Sequence, residues 1–166
     1  IPLRFSSEII RMVSAGVRKT NIHAESRLTI VSASLQATMT LAANDNIDII
    51  QLGGMVRHSS VSVVGQYSME ILRGCSFTKL FLGVDGIDLD FGISTTDMRE
   101  AELNRSMMNA AQKTIVLADS SKFGRRGFAK ISGLEDVDII ITDAKIPQFV
   151  ANKIGEMGIE LIIAGS

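Results

Sequence analysis

Three polar stretches that follow apolar runs contain residue types that bind phosphorylated polyols. They are Asp85-Gly86, Ser94-Thr95-Thr96-Asp97 and Asp119-Ser120-Ser121-Lys122, and a Gly53-Gly54 pair follows a further apolar run. Hydroxyls and backbone N–H groups donate hydrogen bonds to phosphate oxygens, and a lysine adds a positive point charge. These residue types therefore favour a small phosphorylated polyol as the ligand.

The glycines and the Ser94-Thr95-Thr96-Asp97 stretch also have a plain structural interpretation. Gly53-Gly54 is equally compatible with a turn that lets the chain leave a sheet. The second stretch is typical of a helix start, in which Asp97 or Thr96 caps the helix and Glu100 completes a capping box. A cap and a phosphate site use the same helix end, so one does not exclude the other.

The charged candidates are open to a structural interpretation as well. Asp85 follows an apolar run, where a turn-forming aspartate is common. Lys122 comes directly after three small polar residues, which favours a functional role over that of an ordinary exposed lysine. Arg125 and Arg126 are interpreted as a solvated pair of charges.

Short apolar segments alternate with segments of helical periodicity. The apolar segments carry Ile, Val and Leu at consecutive positions, as parallel strands covered on both faces do. They span residues 29–32, 47–52, 80–84, 114–118, 138–142 and 160–163. The helical segments span residues 33–43, 66–73, 98–111 and 147–157, the last with Pro147 at its first position.

This alternation predicts a single α/β domain over residues 1–166, with a mainly parallel sheet flanked by helices. Sheets of this kind bind ligands where strands end and helices begin, because the loops converge there and helix N-termini present unpaired N–H groups. The polar stretches described above lie at that edge.

Composition excludes several classes of function. The 166 residues carry 17 Lys and Arg against 18 Asp and Glu, a net charge of −1, which attracts neither nucleic acid nor an anionic membrane. No apolar run reaches the roughly 18 residues of a spanning helix, and no signal-peptide pattern opens the chain, so we expect a cytoplasmic protein. With one cysteine, Cys75, and two histidines, His23 and His58, we expect no disulfide, metal or cofactor.

Four motifs follow one another in order along the chain. They are IQLGGMVRHSSVSVVG at 50–65, LFLGVDGIDLDFGISTTDMREAELNRSMM at 80–108, IVLADSSKFG at 115–124 and IIITD at 139–143. Together they resemble the C-terminal sensor domain of the DeoR family of bacterial transcription repressors. The resemblance runs from about residue 29 to the C-terminus, and several separated motifs are more specific than any single one.

The resemblance implies a Rossmann-like fold similar to that of phosphosugar isomerases and coenzyme A transferases. It also implies a phosphorylated sugar or sugar derivative as effector, and an N-terminal winged helix-turn-helix that binds operator DNA and lies outside this chain. The start at Ile1-Pro2, without an initiator methionine, agrees with a piece of a longer protein. Repressors that read paired half-sites are generally oligomeric, so we expect a homodimer or homotetramer.

The predicted ligand pocket gathers the residues at the strand ends. Asp85 is expected to accept hydrogen bonds from sugar hydroxyls, and Lys122 to supply charge. Thr95, Thr96 and backbone N–H groups are expected to hold phosphate or further hydroxyls. The complete predicted set is Gly53, Gly54, Gly83, Asp85, Gly86, Thr95, Thr96 and Lys122.

The chain departs from the family pattern at two places. FSSEIIRMVSAG at residues 5–16 resembles the opening helix of the sensor domain, but Gly16 is then followed by VRKTNIHAESR, which is too polar for a central strand. Either this sequence omits a strand and a phosphate-binding loop that the protein has between Gly16 and Val17, or the protein itself has lost them. In the second case we expect an impaired ligand site. Ser32-Ala33 also replaces the Thr-Asn usual in the family, which weakens that donor pair.

An enzyme is the main alternative to a sensor. Asp85 and Asp88 in GVDGID could act as a general base and its partner in sugar-phosphate isomerisation. However, the further acid and the lysine-glycine segment of the related isomerases are absent from DFGISTTD. We therefore favour a sensor without catalytic residues. An oligomerisation domain with a degenerate pocket is a third alternative.

Overall fold

The computed structural model describes residues 28–164, and these residues form two compact units that divide after Ser68. The predicted opening helix at 5–16 and the departure after Gly16 lie outside the described residues. The prediction of a single domain stays a prediction.

The first unit contains two small sheets. Its elements are β1 (Leu28–Ser32), α1 (Leu35–Leu41), β2 (Ile47–Gln51), β3 (Met55–Arg57) and β4 (Ser62–Val64), and α2 (Gln66–Leu72) begins in this unit and crosses the division. Strands β1 and β2 pair in parallel over their full length, whereas β3 and β4 form an antiparallel hairpin. Helix α1 begins after Ser34, whose hydroxyl accepts a hydrogen bond from the Ala37 N–H.

The second unit contains a parallel and an antiparallel sheet. In chain order it comprises β5 (Leu80–Gly83), β6 (Gly86–Asp88), β7 (Gly92–Thr95), α3 (Met98–Ala110), β8 (Thr114–Leu117), β9 (Ala129–Ser132), β10 (Ile139–Asp143), α4 (Gln148–Glu156) and β11 (Glu160–Ala164). The parallel sheet has the strand order β11-β10-β8-β5. Strands β6, β7 and β9 form the antiparallel sheet, with β7 in the centre.

One apolar core holds the second unit together. The central strands contribute Leu82, Val116 and Ile140, which are at most 4% exposed. Helix α3 adds Ala101, and α4 adds Ile154, both 0% exposed. The antiparallel sheet packs into the same cluster, so the two sheets of this unit share one core.

The mixed α/β architecture predicted from the sequence is confirmed, with a four-stranded parallel sheet flanked by helices. All six predicted strands and all four predicted helices are present, with bounds that differ by at most two residues. Pro147 lies one position before α4, as its N-terminal flanking residue. Two further strands, β6 and β7, lie between β5 and α3, where no strand was predicted.

The core predicts a contrast between two isoleucines of the parallel sheet. Ile140 in β10 is fully buried and Ile162 in the edge strand β11 is 38% exposed. We expect Ile140→Ala to lower the free energy of unfolding by about 2–5 kcal/mol, because it leaves a cavity, and Ile162→Ala by less than half as much. Urea denaturation of both variants measures the difference. Equal losses would contradict this description of the core.

Candidate functional site

Asp85 lies at the meeting point of β5 and the β6–β7 hairpin. Its backbone N–H donates to the Ser94 carbonyl at 2.9 Å, so it is held at the start of the antiparallel sheet. Its carboxylate Oδ2 accepts from the Thr95 hydroxyl at 2.9 Å, and from the Thr96 N–H at 3.2 Å and hydroxyl at 3.3 Å. Three of the predicted site residues are therefore in direct contact.

The two threonines have different surroundings. Thr95 is only 2% exposed, and its hydroxyl contacts the carboxylate of Glu100 as well as that of Asp85. Thr96 is exposed. Thr95 is therefore enclosed between two carboxylates, whereas Thr96, whose hydroxyl also donates to Asp85, lies at the surface. Sequence reasoning had assigned Glu100 to the helix cap alone and missed this contact.

Asp97 caps α3 and is one of the two capping residues, Asp97 or Thr96, that the sequence predicted. Its Oδ1 accepts from the N–H groups of Arg99 at 2.8 Å and Glu100 at 3.2 Å. Its Oδ2 accepts from the Arg99 guanidinium at 2.9 Å. The hydrogen bond from Arg99 is the main reason why the pKa of Asp97 falls to about 2. Two of the first N–H groups of the helix are thus occupied by the protein itself.

Lys122 lies on a turn that two carboxylates hold in place. Asp119 caps the turn by accepting from the Ser121 N–H at 2.8 Å. Asp143, at the end of β10, accepts from the Ser120 N–H at 2.8 Å and the Lys145 N–H at 2.8 Å. Burial raises the pKa of Asp143, but these hydrogen bonds outweigh it and the pKa lies below its ordinary value.

The residues that follow Lys122 pair with β6, the strand that begins directly after Asp85. Phe123 forms a parallel bridge with Ile87 of β6, and the Gly124 N–H donates to the Ile87 carbonyl at 2.8 Å. Lys122 is half-buried, and within residues 28–164 no hydrogen bond or ion pair engages its ammonium group. A lysine without a partner therefore lies on the segment that runs along β6.

The remaining predicted residues are glycines. Gly83 ends β5, and Gly86 opens β6, where it pairs with Ser94 of β7. Gly53 and Gly54 belong to the first unit. There the Ser68 hydroxyl donates to the Gly53 carbonyl at 2.5 Å, and a Cβ on Gly54 would lie 2.4 Å from the Val64 carbonyl oxygen. Local packing therefore accounts for Gly54.

Ser32 is the first residue of the Ser32-Ala33 pair, which departs from the family pattern. Its hydroxyl accepts from the Ser34 N–H at 3.1 Å and lies 3.0 Å from the Ser34 carbonyl. The side chain therefore closes the turn into α1. In the described part of the chain, no group of three His, Cys, Asp or Glu side chains is arranged to hold a metal ion.

Comparison with known proteins identifies the family. Residues 19–144 match the family model described as the DeoR C-terminal sensor domain. The chain belongs to the DeoR family. The resemblance inferred from the four sequence motifs is confirmed.

Named relatives of this DeoR sensor domain are transcriptional regulators. A candidate aga operon transcriptional repressor of Escherichia coli O157:H7 is 39% identical over 121 residues, which cover 73% of the chain and 45% of the relative. The regulator YulB of Bacillus subtilis is 35% identical over 117 residues, covering 70% and 45%. The glycerol-3-phosphate regulon repressor of Haemophilus influenzae is 26% identical over 137 residues, covering 82% and 53%.

The sensor domain spans about half the length of the curated relatives that it matches. Among residues 28–164, no helix is long and apolar enough to cross a membrane.

The cap of α3 predicts a pH-dependent loss of stability. The pKa of Asp97 is about 2 in the folded protein against an ordinary 3.8, so its charge stabilises the fold above about pH 4 and ceases to do so as the pH falls toward 2. We expect Asp97→Ala to lose about 1 kcal/mol of unfolding free energy at pH 7, because two N–H groups lose their acceptor.

Asp97→Asn separates capping from charge, since an asparagine can still cap the helix. The difference in unfolding free energy between wild type and this variant should narrow as the pH falls from about 4 to about 2. Urea denaturation at several pH values measures it. A difference that stays constant over this range would show that the charge of Asp97 contributes nothing.

Proposed function

We propose that this chain is the effector-binding half of a DeoR-family transcriptional repressor. A phosphorylated sugar or sugar derivative binds it and changes the operator affinity of a DNA-binding domain in the parent protein. The observation that carries the proposal is the convergence of Asp85, Thr96 and the Lys122 segment around the start of β6. A hydrogen-bond acceptor and a surface hydroxyl, with a lysine on the neighbouring segment, suit a polyol that bears a phosphate.

Asp85 is suited to the sugar hydroxyls. Within residues 28–164, the hydrogen bonds to its carboxylate fall on Oδ2, so Oδ1 is able to accept from a ligand. Thr95 takes a supporting role because it is buried and holds Asp85 in place. Thr96 offers a hydroxyl at the surface. Gly83 has open space where a Cβ would lie, whereas the Arg125 carbonyl fills that place at Gly86. For Gly53, Gly54 and Gly86 a ligand contact stays a prediction.

The names of two relatives support a small metabolite as effector. One relative is a glycerol-3-phosphate regulon repressor, and glycerol 3-phosphate is a phosphorylated polyol. The other is named for the aga operon. The parallel sheet of the second unit, with α3 between β5 and β8 and α4 between β10 and β11, supports the Rossmann-like, phosphosugar isomerase-like fold that the resemblance implies.

The effector must act through a difference in affinity between two states of the repressor. A ligand that bound the DNA-competent and released states equally would shift nothing. A coupling of about 1–3 kcal/mol, which changes the operator affinity about 5- to 150-fold, is typical of such switches. Operators with paired half-sites favour a homodimer or homotetramer of the parent protein, acting in the cytoplasm.

The proposal is tested by isothermal titration of the chain with a panel of sugar phosphates, including glycerol 3-phosphate and amino-sugar phosphates. We expect saturable binding of at least one of them without multiple turnover. Clear isomerisation of a panel member would favour the enzyme. Neither binding nor turnover would favour an oligomerisation domain with a degenerate pocket.

The role of Lys122 is tested with a matched control at the other end of the same strand. Lys122 follows the carboxyl end of β8, and the exposed Lys113 precedes its amino end. We expect Lys122→Ala to weaken a phosphorylated ligand about tenfold or more and its dephosphorylated form much less, because a charge-assisted hydrogen bond is lost. Lys113→Ala should leave both affinities unchanged. Equal losses for both ligands would contradict the assignment of Lys122 to the phosphate.

A further inference from the structure

Residues 124–128, with the sequence GRRGF, form a loop that is fixed against the β6–β7 hairpin. At one end, the Gly124 N–H donates to the Ile87 carbonyl at 2.8 Å. At the other end, the Gly127 N–H donates to the Ser94 hydroxyl at 2.8 Å. Ser94 is 0% exposed, so this second hydrogen bond is shielded from water. The GRRGF loop is therefore held at both ends.

The loop is in close backbone contact with the candidate site. A Cβ on Gly86 would lie 2.5 Å from the Arg125 carbonyl oxygen, and one on Gly127 would lie 2.5 Å from the Thr95 carbonyl oxygen. Gly86 directly follows Asp85, and the Thr95 hydroxyl donates a hydrogen bond to the Asp85 carboxylate. The loop backbone thus borders the residues that are proposed to hold the sugar.

The two arginines of the loop differ in their contacts. The Arg126 guanidinium donates to Asp88 Oδ1 at 3.0 Å, and its central carbon lies 5.5 Å from the centre of the Phe91 ring. This hydrogen bond is the main reason why the pKa of Asp88 falls to about 2. Arg125 is exposed, and no hydrogen bond or ion pair engages its side chain within residues 28–164. One arginine is used within the protein, and its neighbour is available for a ligand.

Charge is distributed unevenly around the site. At the start of α3, the Glu100 carboxylate shares the Thr95 hydroxyl with Asp85, and the Asp97 carboxylate accepts from two of the first N–H groups of the helix. A phosphate would be repelled there and would find few free donors. Lys122 and Arg125, by contrast, lie three residues apart on the segment whose Phe123 forms a bridge with Ile87 of β6.

We propose that Arg125, together with Lys122, holds the phosphate group of the effector. The inference deepens the proposed function, on which it rests, by dividing the site into two parts. Asp85 and Thr96 face the polyol, and the Lys122–Arg125 segment faces a phosphate monoester. A guanidinium offers two parallel donors to phosphate oxygens, and a lysine adds a point charge, so the pair selects phosphorylated over neutral sugars. The fixed loop backbone limits the conformational entropy lost on binding.

Inorganic phosphate is the first probe, because it reports on the anion-binding part of the site alone. It is titrated into the 166-residue chain at constant ionic strength, and binding is followed by the NMR shifts of the backbone amides of residues 122–127 and of the Arg125 side chain. Wild type should show saturable shifts at both. We expect Arg125→Ala to weaken binding about 10- to 100-fold, as loss of a charge-assisted contact does.

Two further variants show whether geometry or only charge matters. Arg125→Lys keeps the charge but loses the paired donors, so its affinity should lie between those of wild type and Arg125→Ala. Arg126→Ala removes the same charge from the adjacent position, and its affinity should stay within about twofold of wild type because the Arg126 guanidinium is already paired with Asp88. The NMR spectrum of each variant shows whether the fold is retained.

The outcomes separate this inference from the proposed function. Wild-type amides that do not respond to phosphate, or equal losses from Arg125→Ala and Arg126→Ala, overturn the assignment of Arg125. Equal binding of a sugar phosphate to wild type and Arg125→Ala also overturns the assignment of Arg125. In that case the proposed function stands. If phosphate binds through Arg125 but no sugar phosphate binds, the proposed function fails and the anion site remains.

Discussion

The hydroxyl of Ser94 joins the parts of the second unit that matter for binding. It is fully buried, accepts from the Gly127 N–H at 2.8 Å and lies 3.3 Å from the Gly86 carbonyl, to which it donates. A hydroxyl can accept and donate at once, so a single oxygen connects β6, β7 and the chain that leads into β9. Close backbone contact at Gly86 and Gly127 surrounds this oxygen and excludes larger side chains there. The position of every candidate residue around β6 depends on this junction.

Carboxylates in this domain mainly hold turns. Asp85 fixes Thr95 and Thr96, Asp97 caps α3, and Asp143 fixes the turn before Lys122. Asp88 accepts from the N–H of Phe91 and from the Arg126 guanidinium. The hydrogen bonds to Asp88 and Asp97 favour the charged carboxylates and lower the pKa of each to about 2.

Local patterns in the sequence predicted the local features well. Strands of four or five residues with consecutive Ile, Val or Leu were found because a strand covered on both faces needs little else. The cap at Asp97 was found because capping acts over only two or three residues. Strands β3, β4, β6, β7 and β9 were missed, since they have only three or four residues and mix Gly, hydroxyl-bearing or charged residues with apolar ones.

Features that depend on distant partners could not be predicted in this way. The bond between Gly127 and Ser94 joins residues 33 positions apart, and that between Ser120 and Asp143 joins residues 23 apart. The sequence around each of these four residues contains no pattern that indicates which distant residue it bonds to. For the same reason Arg125 and Arg126 were interpreted as equivalent, although only Arg126 meets the carboxylate of Asp88.

The double attachment of the GRRGF loop also sets a rule for insertions and deletions. Only two residues separate Gly124 and Gly127, and each of these glycines has its own fixed acceptor. Inserting or deleting one residue between them would break one of these two hydrogen bonds. It would also shift the residues that lead into β9. The hairpin tip between β3 and β4 lies at the surface and connects only two short strands. Length variation among homologous domains should therefore accumulate at the tip, while the loop keeps a constant length.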